Sequence, residues 1–502
     1  MRTGNTYHEI WTLKDGVSEI ENHEYKLFRW AEIVVTGPTA GMELDLSAWV
    51  VSYPWSEAED DLGTFNSSNV MLNKVWELCK NTVKVTSLDT TTDSNTREKL
   101  PYEADGYITG GTRHAMQRDS TWQRHSSKHN IRNPTWPTEW RQIMSLLAFE
   151  DYMASGDVSI ARELWDTILG NTMINCVNKD TQLVDFTKCS RNMPWDKPNA
   201  VRDITDWPDD ARDGYVMSDV GNVINAYFVA CMKAMSTLAG AIGNTADQQR
   251  FAAQGAATTA AMRKTMLDSS TGLFTDTAHG NHSAWHSQVF SLWAGVAPAE
   301  NWHRMMTFLA SKAVDTGVTG SVYAAYAYFL SLYEADFDHG NLALKMLTSC
   351  DNNSYCHMIL QGATATMEAW TRPEKDNLSW SHPWASAPGT AIPRGFFGIN
   401  PTAPGYKKFS IKPQPGDVEE AQISVPTHAG MIKASFVQSK AKFELTLQPP
   451  ANTMARVCLP KLGLDSTELT VDGKKMAAQA QGDYMCVDAI GSGSAARVIS
   501  RP

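Results

Sequence analysis

Two stretches of the chain concentrate residues that could do acid–base chemistry. The first, TDSNTREKLPYEADG, supplies Asp93, Arg97, Glu98, Lys99, Glu103 and Asp105. Tyr102, Tyr107, Trp122, Trp136 and Trp140 follow close behind. The second, GATATMEAWTRPEKDNLSWSHPWASAP, sets Glu368 alone among small and aromatic neighbours, ahead of Trp370, Trp380, His382 and Trp384. Carboxylates beside aromatic walls suit a sugar, which offers an apolar C–H face for stacking and a ring of hydroxyls for charged partners. Two carboxyl groups from distant parts of a chain, here Glu98 and Glu368, are what glycosidic hydrolysis needs: one protonates the leaving oxygen and the other attacks or activates water. A plainer reading stands beside this one. The first stretch is also what a charged loop capping the next helix looks like, and Glu368 could pair with an arginine such as Arg394.

These residues must be held by larger elements. From about Ser68 the apolar period is helical, with Val70, Leu72, Val75, Trp76 and Cys79 at three- and four-residue spacings behind a serine cap. Further helical segments are expected near 138–154, 158–173, 216–239, 245–266, 285–295, 300–313, 320–333 and 337–348. Past FFGINPTAPGYKKFSIKP the pattern turns to short alternating strands, and the charge balance turns from acidic to slightly basic. The chain divides accordingly into a β segment at 1–57, a helical region at 58–399 and a C-terminal β domain at 400–502. The first piece, with KLFRWAEIVVTGP and MELDLSAWVVSYPW, is too short to bury a core. It must pair with something else in the molecule or with an upstream part that this chain does not contain.

Composition narrows the function classes. With 502 residues, 42% hydrophobic and 20% charged, the chain is a multi-domain globular protein. A net charge of −11 without a basic run argues against nucleic acid as a partner. No segment reads as a membrane span, and Met1 to Asp15 lacks the apolar stretch of a signal peptide. The eight cysteines contain no C-x-x-C; Cys350 and Cys356 flank a polar loop and could pair in an oxidising compartment, but the preferred reading is two unpaired buried residues. His282 and His286 have helical i, i+4 spacing without the acidic pattern of a zinc site, so they read as pocket edge or helix surface. Four of the 17 tryptophans precede position 56, thirteen lie from Trp76 to Trp384, and none follows residue 400, which places the large flat faces in the helical region.

Together the two stretches resemble the α-L-rhamnosidases of glycoside hydrolase family 78. The family's Asp, its Arg-Glu four and five residues later and its Asp twelve residues later match Asp93, Arg97, Glu98 and Asp105. Its Glu-x-Trp segment and Ser-x-His stretch match GATATMEAW and SWSHPW. LFRWAEIVVTG, DWPDDARDGY and FFGINPTAPGYKKFSIKP are three further landmarks in the same order. The resemblance implies a mainly α fold: an (α/α)6 toroid as catalytic domain, an N-terminal β segment and a C-terminal antiparallel β-sandwich. It implies an inverting hydrolase of rhamnose-containing glycosides or polysaccharides that needs no cofactor and no metal. Glu98 would be the general acid and Glu368 the general base, while Asp93, Arg97, Asp105 and His382 would hold sugar hydroxyls. Trp207 would be a stacking wall, with Tyr102 and Trp140 beside it. Tyr102 stands where commoner members have Trp, and Glu103 adds a carboxylate there, as a further hydroxyl acceptor or a back-up acid. Two other readings are a polysaccharide lyase on an α/α toroid and a carbohydrate-binding homologue that has lost catalysis.

Overall fold

The computed structural model describes residues 7–501, apart from 23, 29, 54, 96, 136–137, 190–202, 314–316, 335–338, 441, 463–467 and 492–496. Trp136 and the first two residues of the helix expected at 337–348 fall outside the described residues. Helices fill the middle of the chain: α1 Val70–Thr86, α2 Glu103–Met116, α3 Thr121–Arg132, α4 Glu139–Ser155, α5 Ser159–Gly170, α6 Asn222–Ile242 and α7 Thr245–Thr265. They continue with α8 Trp285–Trp293, α9 Ala299–Lys312, α10 Ala325–Glu334, α11 Gly340–Thr348, α12 Tyr355–Leu360 and α13 Ala387–Ala391.

Local chemistry sets the helix ends. The cap of α1 is Asn69, whose side chain accepts the Leu72 N–H, so the expected serine cap is displaced by its neighbour. Helix α6 starts at Asn222 rather than near 216, because the preceding residues bond across to the 276–277 segment: the Val216 N–H reaches Asp276 Oδ2 at 3.0 Å and Gly221 bridges Thr277. It packs against α4, α7 and α8. Contrary to the expectation from sequence, α6 is long and apolar enough to cross a membrane, but 72% of its apolar window is buried inside the protein, as in a core helix.

Helices α2 and α3 have no apolar stripe that would announce them. Their sequences are polar or glycine-rich, yet α2 is buried on nearly every face. Two glycines explain the fit: a Cβ at Gly106 would stand 2.3 Å from Asn130 Nδ2, and one at Gly110 would stand 2.6 Å from Gln123 Nε2, so α3 can approach only bare backbone.

Strands β1 Thr64–Ser67, β2 Leu267–Asp268 and β3 Leu273–Phe274 lie within the first 399 residues. The rest follow: β4 Asn400–Pro401, β5 Lys408–Ile411, β6 Glu420–Thr427, β7 Gly430–Ser439, β8 Lys442–Gln448, β9 Met454–Pro460, β10 Glu468–Val471, β11 Lys474–Ala477, β12 Gln479–Gln481, β13 Tyr484–Gly491 and β14 Arg497–Arg501. One sheet has the order β1-β6-β7-β8-β14-β10-β11 and a second the order β12-β13-β9-β5-β4. Strand β1 enters the first sheet with Phe65 opposite Ile423, so a strand from before α1 belongs to the C-terminal β region and the division expected at Asn400 is crossed. Phe396 and Phe397 connect the two regions by packing on Phe65 and Phe436.

Among the described residues of 7–57 there is no strand, although alternation predicts strands there. Trp30, Trp49 and Val50 stand exposed, because a strand without a sheet to join has no partner for its backbone or its apolar face. The end of this segment is nevertheless tied down. The buried Arg113 guanidinium lies over Tyr53, Trp55 and Trp122 at 5.3, 5.4 and 4.4 Å, and Gln117 exchanges hydrogen bonds with the Ser56 backbone.

Cys350 and Cys356, read as unpaired from sequence, form a disulfide: Ser354 caps α12 and the intervening turn brings their Cα atoms to 4.8 Å. Cys176–Cys189 and Cys458–Cys486 are also bonded, the last pair in register across β9 and β13, while Cys79 and Cys231 are free and buried. Thiol titration of the unfolded, unreduced protein should therefore count two reactive thiols, and eight after reduction. Eight before reduction would contradict the pairing.

Candidate active site

The loop before α2 closes on itself through Asp93, whose Oδ1 accepts the Leu100 N–H at 2.9 Å while its N–H donates to the Leu100 carbonyl. This ring presents Arg97 and Glu98 at its tip. From the other end of the helical region, Glu368 is fixed by exchange with Ser379: its N–H donates to the Ser379 carbonyl at 3.0 Å, and the Ser379 N–H returns to Glu368 Oε2 at 2.8 Å. Arg97 joins the two. Its Nη1 pairs with Glu98 Oε1 and its Nη2 with Glu368 Oε1 at 3.0 Å. Arg394, a candidate partner of Glu368 from sequence, instead binds Glu150 in a bidentate pair.

The remaining expected residues form a chain of contacts around these carboxylates. Tyr102 Oη donates to Glu98 Oε2 at 2.7 Å, and its ring meets Trp140 edge-on. Trp140 Nε1 donates to Tyr323 Oη at 3.2 Å, Tyr323 stacks on Trp384, and Trp384 lies 4.5 Å from the His382 ring. His382 Nε2 closes the chain 3.0 Å from Asp105 Oδ1, in the first turn of α2. Trp207 is the outlier: it is 40% exposed, and it is linked to the rest through backbone. Asp206 Oδ1 accepts its N–H, and Asp206 Oδ2 takes His286 Nε2 at 2.7 Å and the Ser321 N–H at 2.8 Å. His286 is thus a buried anchor of this loop and not part of a helix surface.

The charges are unequal. Burial alone would raise Glu368, but His382, Lys375 and the Ser379 N–H outweigh it and hold the carboxyl below its usual range. Burial pushes Asp93 up to about 6, with Asp105 adding to the rise and His382 opposing it. Asp105 is raised for the same first reason, and His382 is raised against its own burial by Asp105, Glu368 and Asp93. Glu98, by contrast, is part-exposed at 31% of its side chain. The expected extra carboxylate, Glu103, is neither open nor free: it is buried, and both oxygens are engaged by Thr135, through its N–H and its hydroxyl, each at 2.6 Å. It pins the segment before α4 to α2.

Residues 60–395 match the model of the bacterial alpha-L-rhamnosidase 6 hairpin glycosidase domain, and residues 398–473 match the bacterial alpha-L-rhamnosidase C-terminal domain. The chain belongs to this family. An alpha-L-rhamnosidase from Formosa agariphila is 27% identical over 263 residues, covering 50% of this chain and 26% of that one. The alpha-L-rhamnosidase structure from Dictyoglumus thermophilum superimposes with a TM-score of 0.70 at 16% identity, over 88% of this chain and 50% of that one. The Streptomyces avermitilis enzyme complexed with L-rhamnose gives 0.69 at 17% identity, over 88% of this chain and 42% of that one. The rhamnosidase-family chain thus shares the six-hairpin glycosidase fold of these structures and spans about half their length or less.

Three residues that contact the candidate site gave no such signal in the sequence. Tyr323 lies in SVYAAYAYF, which reads as core, and only its hydroxyl bonds to Trp140 and to Tyr227 Oη reveal a second role. Lys375 sits in a charged loop that looks solvated, yet its Nζ pairs with Glu368 Oε1. Glu139 is buried beside Trp140 and accepts the Ile204 and Thr205 N–H groups, each at 2.8 Å, so one carboxylate sets the spacing between the Trp140 and Trp207 segments. Glu139→Ala leaves the buried Thr205 N–H unpaired, at about 1–3 kcal/mol, and the part-buried Ile204 N–H with it, at a smaller cost. A lowered urea midpoint is expected, together with a higher KM than the parent. An unchanged midpoint would contradict the anchoring role.

Proposed function

We propose that this chain removes terminal α-L-rhamnose from glycosides or polysaccharides by inverting acid–base hydrolysis. The observation that carries the reading is the meeting of Glu98 and Glu368 on the two sides of one guanidinium, Arg97, although 270 residues separate them in sequence. In this reading Glu98 protonates the glycosidic oxygen. Glu368, held ionised, takes a proton from water on the opposite face of the ring. For an inverting pair the bound state should place the carboxyl groups about 6.5–9.5 Å apart, with water between; Arg97 then shifts its bonds from carboxylate to sugar hydroxyls. Asp93 Oδ2 and His382 Nδ1, buried without a hydrogen-bond partner among the described residues, suit hydroxyl recognition, together with Asp105. Tyr102, Trp140 and Trp207 supply the faces for the apolar side of the sugar.

The architecture belongs to the same proposal. The helices from α1 to α13 close as an (α/α)6 toroid, and the two C-terminal sheets form the supporting sandwich, with β1 as a strand lent to it from the helical side. The divisions at 57 and 399 then separate the leading segment, the catalytic domain and the C-terminal domain.

Glu98→Gln and Glu368→Gln should each abolish nearly all turnover of an aryl α-L-rhamnoside while circular dichroism and thermal midpoint stay near the parent's. Full activity in both variants would overturn the assignment.

A further inference from the structure

Three donors reach Glu368, and they are spread unevenly over its two oxygens. An ionised carboxylate has about four lone-pair positions, two on each oxygen. On Oε1 both are taken, by Arg97 Nη2 at 3.0 Å and by Lys375 Nζ. On Oε2 the Ser379 N–H takes one at 2.8 Å. Among the described residues one position is left for a proton from water, and it lies on Oε2.

Lys375 is held for this task by its own loop. Thr371 and Glu374 form a reciprocal cap, in which Glu374 Oε1 accepts the Thr371 N–H at 3.0 Å and Glu374 Oε2 accepts the Trp370 N–H at 3.2 Å. The turn that follows returns the lysine toward the glutamate seven residues earlier. The Lys375 side chain is one-fifth exposed, whereas the Glu368 side chain it meets is almost fully buried, so the pair lies at the edge of the site with Glu368 on the inner side.

Resting on the reading of Glu368 as general base, we propose that Lys375 is a positioning residue: it fixes the Glu368 carboxylate in its charged form and turns Oε2 to the attacking water. The other charged groups facing Glu368 are Arg97 from the loop before α2, His382 from its own segment, and Asp105 of α2, with Asp93 and Glu98 behind them. His382 is engaged by Asp105 and Arg97 is shared with Glu98, which leaves Lys375 as the cation given to Glu368 alone among these groups.

The test is the pH profile of kcat/KM for Lys375→Met, whose side chain keeps the length and loses the charge, with an aryl α-L-rhamnoside as substrate. Its acid limb reports the free enzyme's base. Removal of a cation in direct contact should move that limb upward by about 1–3 pH units, and Lys375→Arg should restore most of the shift. Lys375→Gln provides the same reading if the methionine variant folds poorly by thermal midpoint. A limb that stays at the parent's position, with kcat/KM lowered evenly at all pH values, would overturn the proposal while leaving Glu368 as base. Retained activity in Glu368→Gln would instead overturn the reading on which it rests.

Discussion

One guanidinium holds the site together. Arg97 is bonded to Glu98 on its own loop and to Glu368 from the far end of the helical region, so its position depends on both stretches being placed correctly. A carboxylate buried as deeply as Glu368 is costly to leave without a cation. The arginine changes the balance by giving both carboxylates a cation in a fixed fork geometry. Lys375 and His382 extend that compensation on the Glu368 side only, and the result is an asymmetry: one carboxylate buried and kept ionised, the other nearer to solvent and donated to by Tyr102.

The surrounding fold supplies rigidity at the points where these residues attach. Asp93 and Leu100 close the loop carrying Arg97; Ser379 fixes Glu368; and Glu103, bound to Thr135, ties α2 to the segment leading into α4 and Trp140. Glycines in α2 allow α3 and α13 to approach until Asn130, Gln123 and Thr390 nearly touch its backbone, so Asp105 in its first turn has little freedom. The C-terminal sheets act from outside: β1 leads straight into α1 while pairing with β6, and Phe65 packs on Trp76 within that helix.

Much of this was legible in the residues. The order of helical and strand patterns, the two carboxylate stretches and their aromatic companions were visible because amphipathic spacing and acidic residues in apolar surroundings both leave local signals. Helices α2 and α3 were not, since a helix packed on all faces through glycine and polar side chains shows no stripe. The partner of Glu368 was not legible either. Arg394 is the arginine the sequence suggested, but it is taken by Glu150, a residue with no local signal of its own, and Arg97 meets Glu368 instead. The disulfides escaped because pairing depends on the geometry of turns and strand register, as at Cys458 and Cys486. At the N-terminal end the alternation was genuine as a pattern, but alternation states a preference for a sheet and cannot provide one.

In the proposed reaction Glu98 and Glu368 act from opposite faces of a sugar ring. Proton NMR of the first sugar released from an aryl α-L-rhamnoside tests this most directly, because the anomeric signal records the face from which water arrived. Attack opposite the leaving group gives β-L-rhamnose first, with the α anomer growing in by mutarotation. Release of α-L-rhamnose first, or no free rhamnose at all, would contradict the account.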